Sequence, residues 1–200
     1  MLLLMVACQS GPSVRLTDDS YPGTLRDPDA LARDVVLRQY VSAEWGEGES
    51  RGFDAALQKS GNELVILGLS PMGSVGFAIT QSGADVELRD TDEAQMPLPP
   101  RFILLDAQRA FYPWLPGSPE SRPDGQHQAV VDGELVVEEW AEGRLQERRF
   151  TRLDGEPPGV ITVNYTWVPD RLAPTRVVLE NGWFGYRLTV ETLEETVLTP

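Results

Sequence analysis

Apolar and polar side chains alternate along most of this chain with the period of a β-strand. In the first run, Leu37, Gln39, Val41, Ala43 and Trp45 fall on one side, and Arg38, Tyr40, Ser42 and Glu44 on the other. Gly46-Glu47-Gly48-Glu49 breaks it. Phe53, Ala55 and Leu57 alternate next, Ser60-Gly61-Asn62 makes a hairpin turn, and Leu64 to Leu67 is a short apolar strand. Val75, Phe77 and Ile79 then alternate with Gly76, Ala78 and Thr80, and Ser82-Gly83 turns the chain into Asp85 to Leu88. The connections are too short for crossovers, so the pattern predicts an antiparallel meander.

After a proline-rich linker from Thr91 to Pro100 the period changes. Ile103, Ala107, Ala110, Phe111 and Trp114 recur at three- and four-residue spacing, which predicts an amphipathic helix from Pro99 or Pro100 to about Trp114. Arg101, Gln108 and Arg109 are expected to face away from the sheet, and Pro113 and Pro116 to end the helix. Leu115 to Gly125 reads as an exposed loop. Strands resume as Val130 to Trp140 and Leu145 to Leu153, joined at Glu142-Gly143. The charges there (Glu138, Glu139, Glu147, Arg148, Arg149, Arg152) read as a solvated face. Val160 to Val168, Arg176 to Glu180 and Phe184 to Glu191 complete about ten strands, with the helix after the fifth. In Val160 to Val168 the residues Ile161, Val163, Tyr165 and Trp167 form a wide aromatic face, which packs against either a core or a ligand. The fold class is mainly β with one or two helices.

The N-terminal stretch does not alternate. Met1 to Ala7 is apolar, uncharged and far too short to span a bilayer, and Cys8 follows it. Met5-Val6-Ala7-Cys8 resembles a bacterial lipobox with Met in place of the usual Leu. The expected organisation is a signal-peptide remnant at 1–7, a lipidated Cys8 with a flexible tether at 8–27, and one domain at 28–200. The positively charged n-region of such peptides is absent, so the true start is expected upstream. Gln9, rather than Asp, after the cysteine leans toward the outer membrane. Asp27-Pro28 reads as an N-cap with Pro at the first helical position of a short helix reaching about Arg33.

Composition narrows the chemistry. The net charge of −14 argues against nucleic-acid binding and against docking by a basic patch on anionic lipid. One cysteine and one histidine leave no internal disulfide and make multi-Cys zinc sites and His-centred triads poor candidates. There is no phosphate loop and no Gly-x-Ser-x-Gly elbow. No catalytic residue, metal site or cofactor is expected. What remains is a set of apolar and aromatic side chains able to line a cavity.

Three stretches carry a resemblance. Leu64 to Gly73 followed by Val75 to Ile79 is similar to the Leu-x-Gly-Pro-x-Gly strand–turn–strand of LolB-type proteins, with Ser70 inserted before Pro71. Pro99 to Gln108 and Asn181 to Leu188 are similar to outer-membrane lipoproteins encoded beside the fatty-acid-synthase-like enzymes that make aryl polyenes. The chain thus resembles the LolA/LolB-like superfamily of lipoprotein carriers over roughly residues 37 to 192. That resemblance implies a curved antiparallel sheet forming an open, incomplete β-barrel, with a helix covering its mouth and a hollow that takes acyl chains. The expected cavity-lining residues are Phe77, Ile79, Phe102, Phe111, Trp114, Val163, Tyr165, Trp167 and Tyr186. Leu69 and Met72 are the candidates for a membrane-touching loop. The implied protein is an envelope lipoprotein on the periplasmic face of the outer membrane. It would bind an acyl or polyene-type lipid and assist its transfer, with an envelope or synthase-cluster protein as a further partner. Two other readings stand beside it. One is a structural or assembly lipoprotein with a filled core. The other is a lipid-ester hydrolase, for which His127 is the sole imidazole.

Overall fold

The computed structural model describes residues 21–46, 48–70, 72–90, 98–117 and 122–198. Cys8, the lipobox, Pro71 and most of the proline-rich linker lie outside them. The described elements are β1 (Val35–Trp45), β2 (Glu49–Ser60), β3 (Glu63–Leu69), β4 (Val75–Ser82), β5 (Asp85–Asp90), α1 (Pro100–Phe111), β6 (Gly125–Val131), β7 (Glu134–Ala141), β8 (Arg144–Arg152), β9 (Val160–Thr166), β10 (Arg176–Asn181) and β11 (Tyr186–Val197). A 3₁₀ turn, Pro28–Ala30, precedes β1. Asp27 caps it by accepting from the Asp29 amide, so the short helix expected to reach Arg33 stops after one turn.

The strands form one sheet in the order β5-β4-β3-β2-β1-β11-β10-β9-β8-β7-β6, with antiparallel neighbours throughout. The first and last strands meet at its centre, from Val35 against Val197 to Trp45 against Tyr186. Two meanders therefore share one seam, and their outer edges, β5 and β6, do not pair with each other. The barrel is open, and the mainly β class with a helix after the fifth strand holds. The eleventh strand is β6, whose sequence reads as the end of a loop and the start of one long strand. Asp132 and Gly133 adopt φ of 52° and 77°, a two-residue hairpin turn that divides that stretch into β6 and β7.

The sheet curls around α1. One face of the helix, with Phe102, Leu105 and Ala110, joins a core cluster built on β7 to β11. Leu104 and Tyr112 join a second cluster built on β1 to β4. A helix wrapped in this way is buried on nearly every side, so its polar residues need internal partners. Gln108 and Arg109, expected in solvent, are fully buried. The segment 21–26, expected in the tether, covers them. Tyr21 is 1% exposed, and Gln108 is hydrogen-bonded to both the amide and the carbonyl of Arg26.

The charged hairpin is likewise corrected. Glu134 and Glu138 share the inward parity of Val136 and Trp140, and Arg148 shares that of Phe150; all three are buried. Only the opposite parity, such as Glu139 and Arg149, meets solvent. Among the described residues, no helix is long and apolar enough to cross a membrane.

Candidate functional site

At the C-terminal end of α1 the two halves of the sheet stand apart, enclosing a cavity of about 550 Å³. One wall comes from β7 to β9 and the residues just beyond: Trp140, Leu145, Tyr165 and Trp167. The facing wall comes from β1 and β2: Val35, Leu37 and Leu57. Ala110 to Pro113 cover the space between. The alternation of each strand explains the lining, since Leu37, Leu57, Trp140, Leu145 and Tyr165 are inward positions. The size and apolar, aromatic lining are those of a small-molecule site. Leu172 and Val197 border it and are 54% and 46% exposed, which marks the mouth.

The wall nearest the helix is held by charge. Arg148 Nε donates to Glu138 Oε1 at 2.8 Å, and its Nη1 donates to the carbonyls of Arg109 and Tyr112 at 2.7 and 2.9 Å. A cation thus satisfies carbonyls that α1 leaves open and complements the negative end of its dipole. Glu138 Oε2 accepts from Trp140 Nε1 at 2.9 Å, fixing the indole against the cavity. Trp167 Nε1 donates to the Leu145 carbonyl at 2.7 Å, and the Arg144 guanidinium lies 4.7 Å from the Trp167 ring centre. Tyr165 donates to the Arg109 carbonyl at 3.4 Å, and burial pushes its pKa up to about 12. The Tyr112 hydroxyl is buried and has no hydrogen-bond partner among the described residues. Burial, then the charges of Asp27 and Asp29, raises its pKa.

Nearer the middle of α1 the space is filled. Asp106 accepts from the hydroxyls of Tyr21 and Tyr186, and Asn181 Nδ2 donates to those same oxygens at 2.9 and 2.8 Å. Burial raises the Asp106 pKa to about 6, against the lowering effect of the two tyrosines and Arg109. Arg109 Nη2 reaches both Glu134 oxygens at 2.9 and 3.1 Å, and its guanidinium lies about 5 Å from the rings of Tyr21, Phe150 and Trp183.

Of the residues proposed from sequence, Phe111, Tyr165 and Trp167 line the cavity together. Ile79, Phe102, Trp114, Val163 and Tyr186 are buried in the packed clusters instead. Phe77 lies across Gly68, its ring 2.1 Å from where a Cβ at that glycine would stand. Leu69 ends β3, and Met72, 90% exposed, sits in the β3–β4 turn. That turn is at the far end of β3 from the β2–β3 turn, the turn on the cavity side, where Lys59 pairs with Val35. His127 lies on β6 with Nε2 2.8 Å from the Pro123 carbonyl. Among the described residues, no group of three or more His, Cys, Asp or Glu is placed to hold a metal. Trp140, one of the aromatics able to line a cavity, does line it. The facing wall of Val35, Leu37 and Leu57, with Leu145, went unnamed from the sequence. Its signal was the inward parity of β1, β2 and β8, which is the same signal a filled core gives.

The sequence matches a family described as "Protein of unknown function (DUF3261)" over residues 36–194. No curated protein sequence matches it. Among solved structures the chain is similar to a LolA superfamily protein from Nitrosomonas europaea, with a TM-score of 0.48 and 11% identity, covering 84% of this chain and 87% of that one. It is also similar to a domain named for outer-membrane lipoprotein sorting from Vibrio parahaemolyticus, with a TM-score of 0.45 and 10% identity over 86% and 92% of the two chains. A DUF1329 family protein from Desulfovibrio piger gives 0.41 and 13% over 85% and 91%.

Proposed function

We propose, for a chain that belongs to the DUF3261 family, that the cavity at the end of α1 holds the apolar tail of an envelope lipid without covalent chemistry. The observation that carries this reading is the cavity itself: about 550 Å³, apolar and aromatic on both walls, with half-exposed Leu172 and Val197 at its edge. Transfer of an alkyl chain from water into such a space is worth about 0.8 kcal/mol per CH₂. Roughly ten buried methylenes would therefore give about 8 kcal/mol, enough to exceed the several kcal/mol cost of association. Trp140, Tyr165, Trp167 and Phe111 also offer flat ring faces, which suit an extended conjugated tail of the polyene type as well as a saturated chain.

In this reading Cys8 carries the acyl anchor, and the protein works from the periplasmic face of the outer membrane. The chain then enters the domain at Tyr21, at the filled stretch of α1. It runs along the helix past Arg26 and reaches the cavity at Leu31 to Val35.

Native mass spectrometry of the full-length chain purified from a Gram-negative host tests this directly. A bound acyl or polyene species, released by organic solvent, is the expected result. A ligand-free protein that also fails to take up a neutral fluorescent lipid probe would refute the reading.

A further inference from the structure

We infer that the ligand is an anionic amphiphile whose charged head is held by Arg144 at the mouth of the cavity. The inference rests on the lipid-tail reading above and adds the chemistry of the other end of the molecule.

The chain as a whole carries a net charge of −14, yet the border of this cavity is cationic. Arg33, Arg144, Arg148 and Arg171 contribute to it, against Glu138 and Glu142. These arginines are not equivalent. Arg148 is committed to Glu138 at 2.8 Å and to the end of α1. Arg171 has Glu195 at 3.5 Å and donates to the Thr192 carbonyl at 3.3 Å. Arg144 has no carboxylate partner among the described residues. Its one hydrogen bond there, from Nη1 to the Arg171 carbonyl at 3.0 Å, steers the side chain without neutralising it. Its guanidinium lies against Trp167, a ring that lines the apolar space. A charged group held against the cavity wall, with donors left over, is arranged for an anion delivered by the cavity's occupant. A carboxylate or a phosphate can accept two parallel N–H bonds from such a guanidinium. A neutral head would leave the charge uncompensated, and a cationic head would be repelled by the cluster.

The shared chemistry is an acidic head on an alkyl tail, and its source is either a free acid or a phosphate ester. Displacement of the neutral dye N-phenyl-1-naphthylamine from the full-length chain at pH 8 separates them. The three competitors are dodecanoate, dodecyl phosphate and dodecanol, each with twelve carbons. Dodecanoate or dodecyl phosphate is expected to compete at about one-tenth the concentration of dodecanol, and the tighter of the two identifies the head. Arg144→Gln should weaken the anionic competitor about tenfold and leave dodecanol within about twofold, and Arg144→Lys should recover part of the loss. Equal competition by dodecanol in the wild type would overturn the anionic head and leave the cavity reading intact. So would an equal loss for all three competitors in Arg144→Gln, since that is what lost packing on Trp167 would give. No competition by any of the three would refute the cavity reading itself, and this inference with it.

Discussion

Two regions along α1 solve opposite problems with the same helix. Around Asp106 and Arg109 the sheet closes on the helix, and both charges have partners inside the protein, although Arg109 Nε and Nη1 make no hydrogen bond among the described residues. Around Ala110 to Pro113 the walls of the sheet stand apart and leave about 550 Å³. The difference lies in what covers the helix. At the closed end the segment from Tyr21 to Arg26 fills the gap between the sheet halves, with Tyr21 against Phe102, Phe184 and Trp183. At the open end that segment has turned away into the 3₁₀ turn, and nothing among the described residues replaces it. A rigid, polar-locked base thus presents an apolar space, so that the open end need not supply the stability of the fold.

With the labour divided in this way, substitutions at the closed end should act on stability and those at the open end on binding. The largest effect is expected for Glu134→Ala. Glu134 and Arg109 are both fully buried, and removing one partner strands the other's charge, which costs about 3–5 kcal/mol. Replacing the pair together, as Arg109→Met with Glu134→Leu, should cost less than the single change. Urea denaturation of the three proteins checks the ranking. A single variant as stable as the wild type would mean that water reaches this end.

Asp106 supplies the next effect through pH. Its carboxyl titrates near 6 in the fold and near the ordinary value of about 3.9 in the unfolded chain, because burial disfavours the anion. Between those values the folded state binds the proton more tightly. The stability this group contributes is therefore complete below about pH 4 and is lost as pH rises through about 6, a change of roughly 3 kcal/mol. Glu134, also raised by burial, adds with the same sign. Exposed carboxylates held low by partners, such as Asp34, Asp154 and Glu194, oppose it. The comparison that isolates Asp106 is wild type against Asp106→Asn, in unfolding at pH 4 and pH 7. The variant should lose most of the decline. An unchanged decline would place the effect elsewhere.

How much of this was legible beforehand follows from parity and from cover. Strand alternation locates Ile161, Val163 and Tyr165 on one face, and they are buried together. The same alternation puts Glu134 and Glu138 beside Val136 and Trp140, but a rule that sends charges to solvent overrode it. Their partners, Arg109 and Arg148, come from a helix and a strand 25 and 10 residues away in sequence, and nothing local announces them. Gln108 and Arg109 look solvent-facing because α1 is amphipathic against the sheet alone. The segment that buries their side carries a Pro-Gly pair at 22–23 and follows a polar stretch, so it reads as tether. The cavity was legible only as a list of aromatics. Whether Trp114 fills a core or lines a hollow depends on the spacing between strands β1 and β9, which no single strand encodes.

At the open end the expected effects are on binding. Ala110 borders the cavity from the last turn of α1. Ala110→Leu keeps good helix propensity while adding three carbon atoms to the space. Displacement of the dye by dodecanoate should weaken about tenfold, with stability changed by no more than about 1 kcal/mol. A loss of about 1–3 kcal/mol would instead report overpacking of a site with no room, and would sink the contrast between the two ends.

The smallest effect is expected where the two ends meet. The Tyr165 ring lines the cavity, while its hydroxyl donates to the Arg109 carbonyl at 3.4 Å, a long bond at the limit of useful geometry. Arg148 already donates to that carbonyl at 2.7 Å, so Tyr165→Phe leaves no acceptor stranded. The loss should stay below about 1 kcal/mol, and the ring, which is what an alkyl chain would touch, remains. Binding of dodecanoate and of dodecanol should therefore be unchanged within about twofold. A selective loss of dodecanoate would move the anion's site from Arg144 at the mouth to the hydroxyl beside the helix end. A stability loss above about 2 kcal/mol would mean that the closed end extends into the cavity wall, and that the boundary between lock and pocket lies nearer Trp167 than Tyr165.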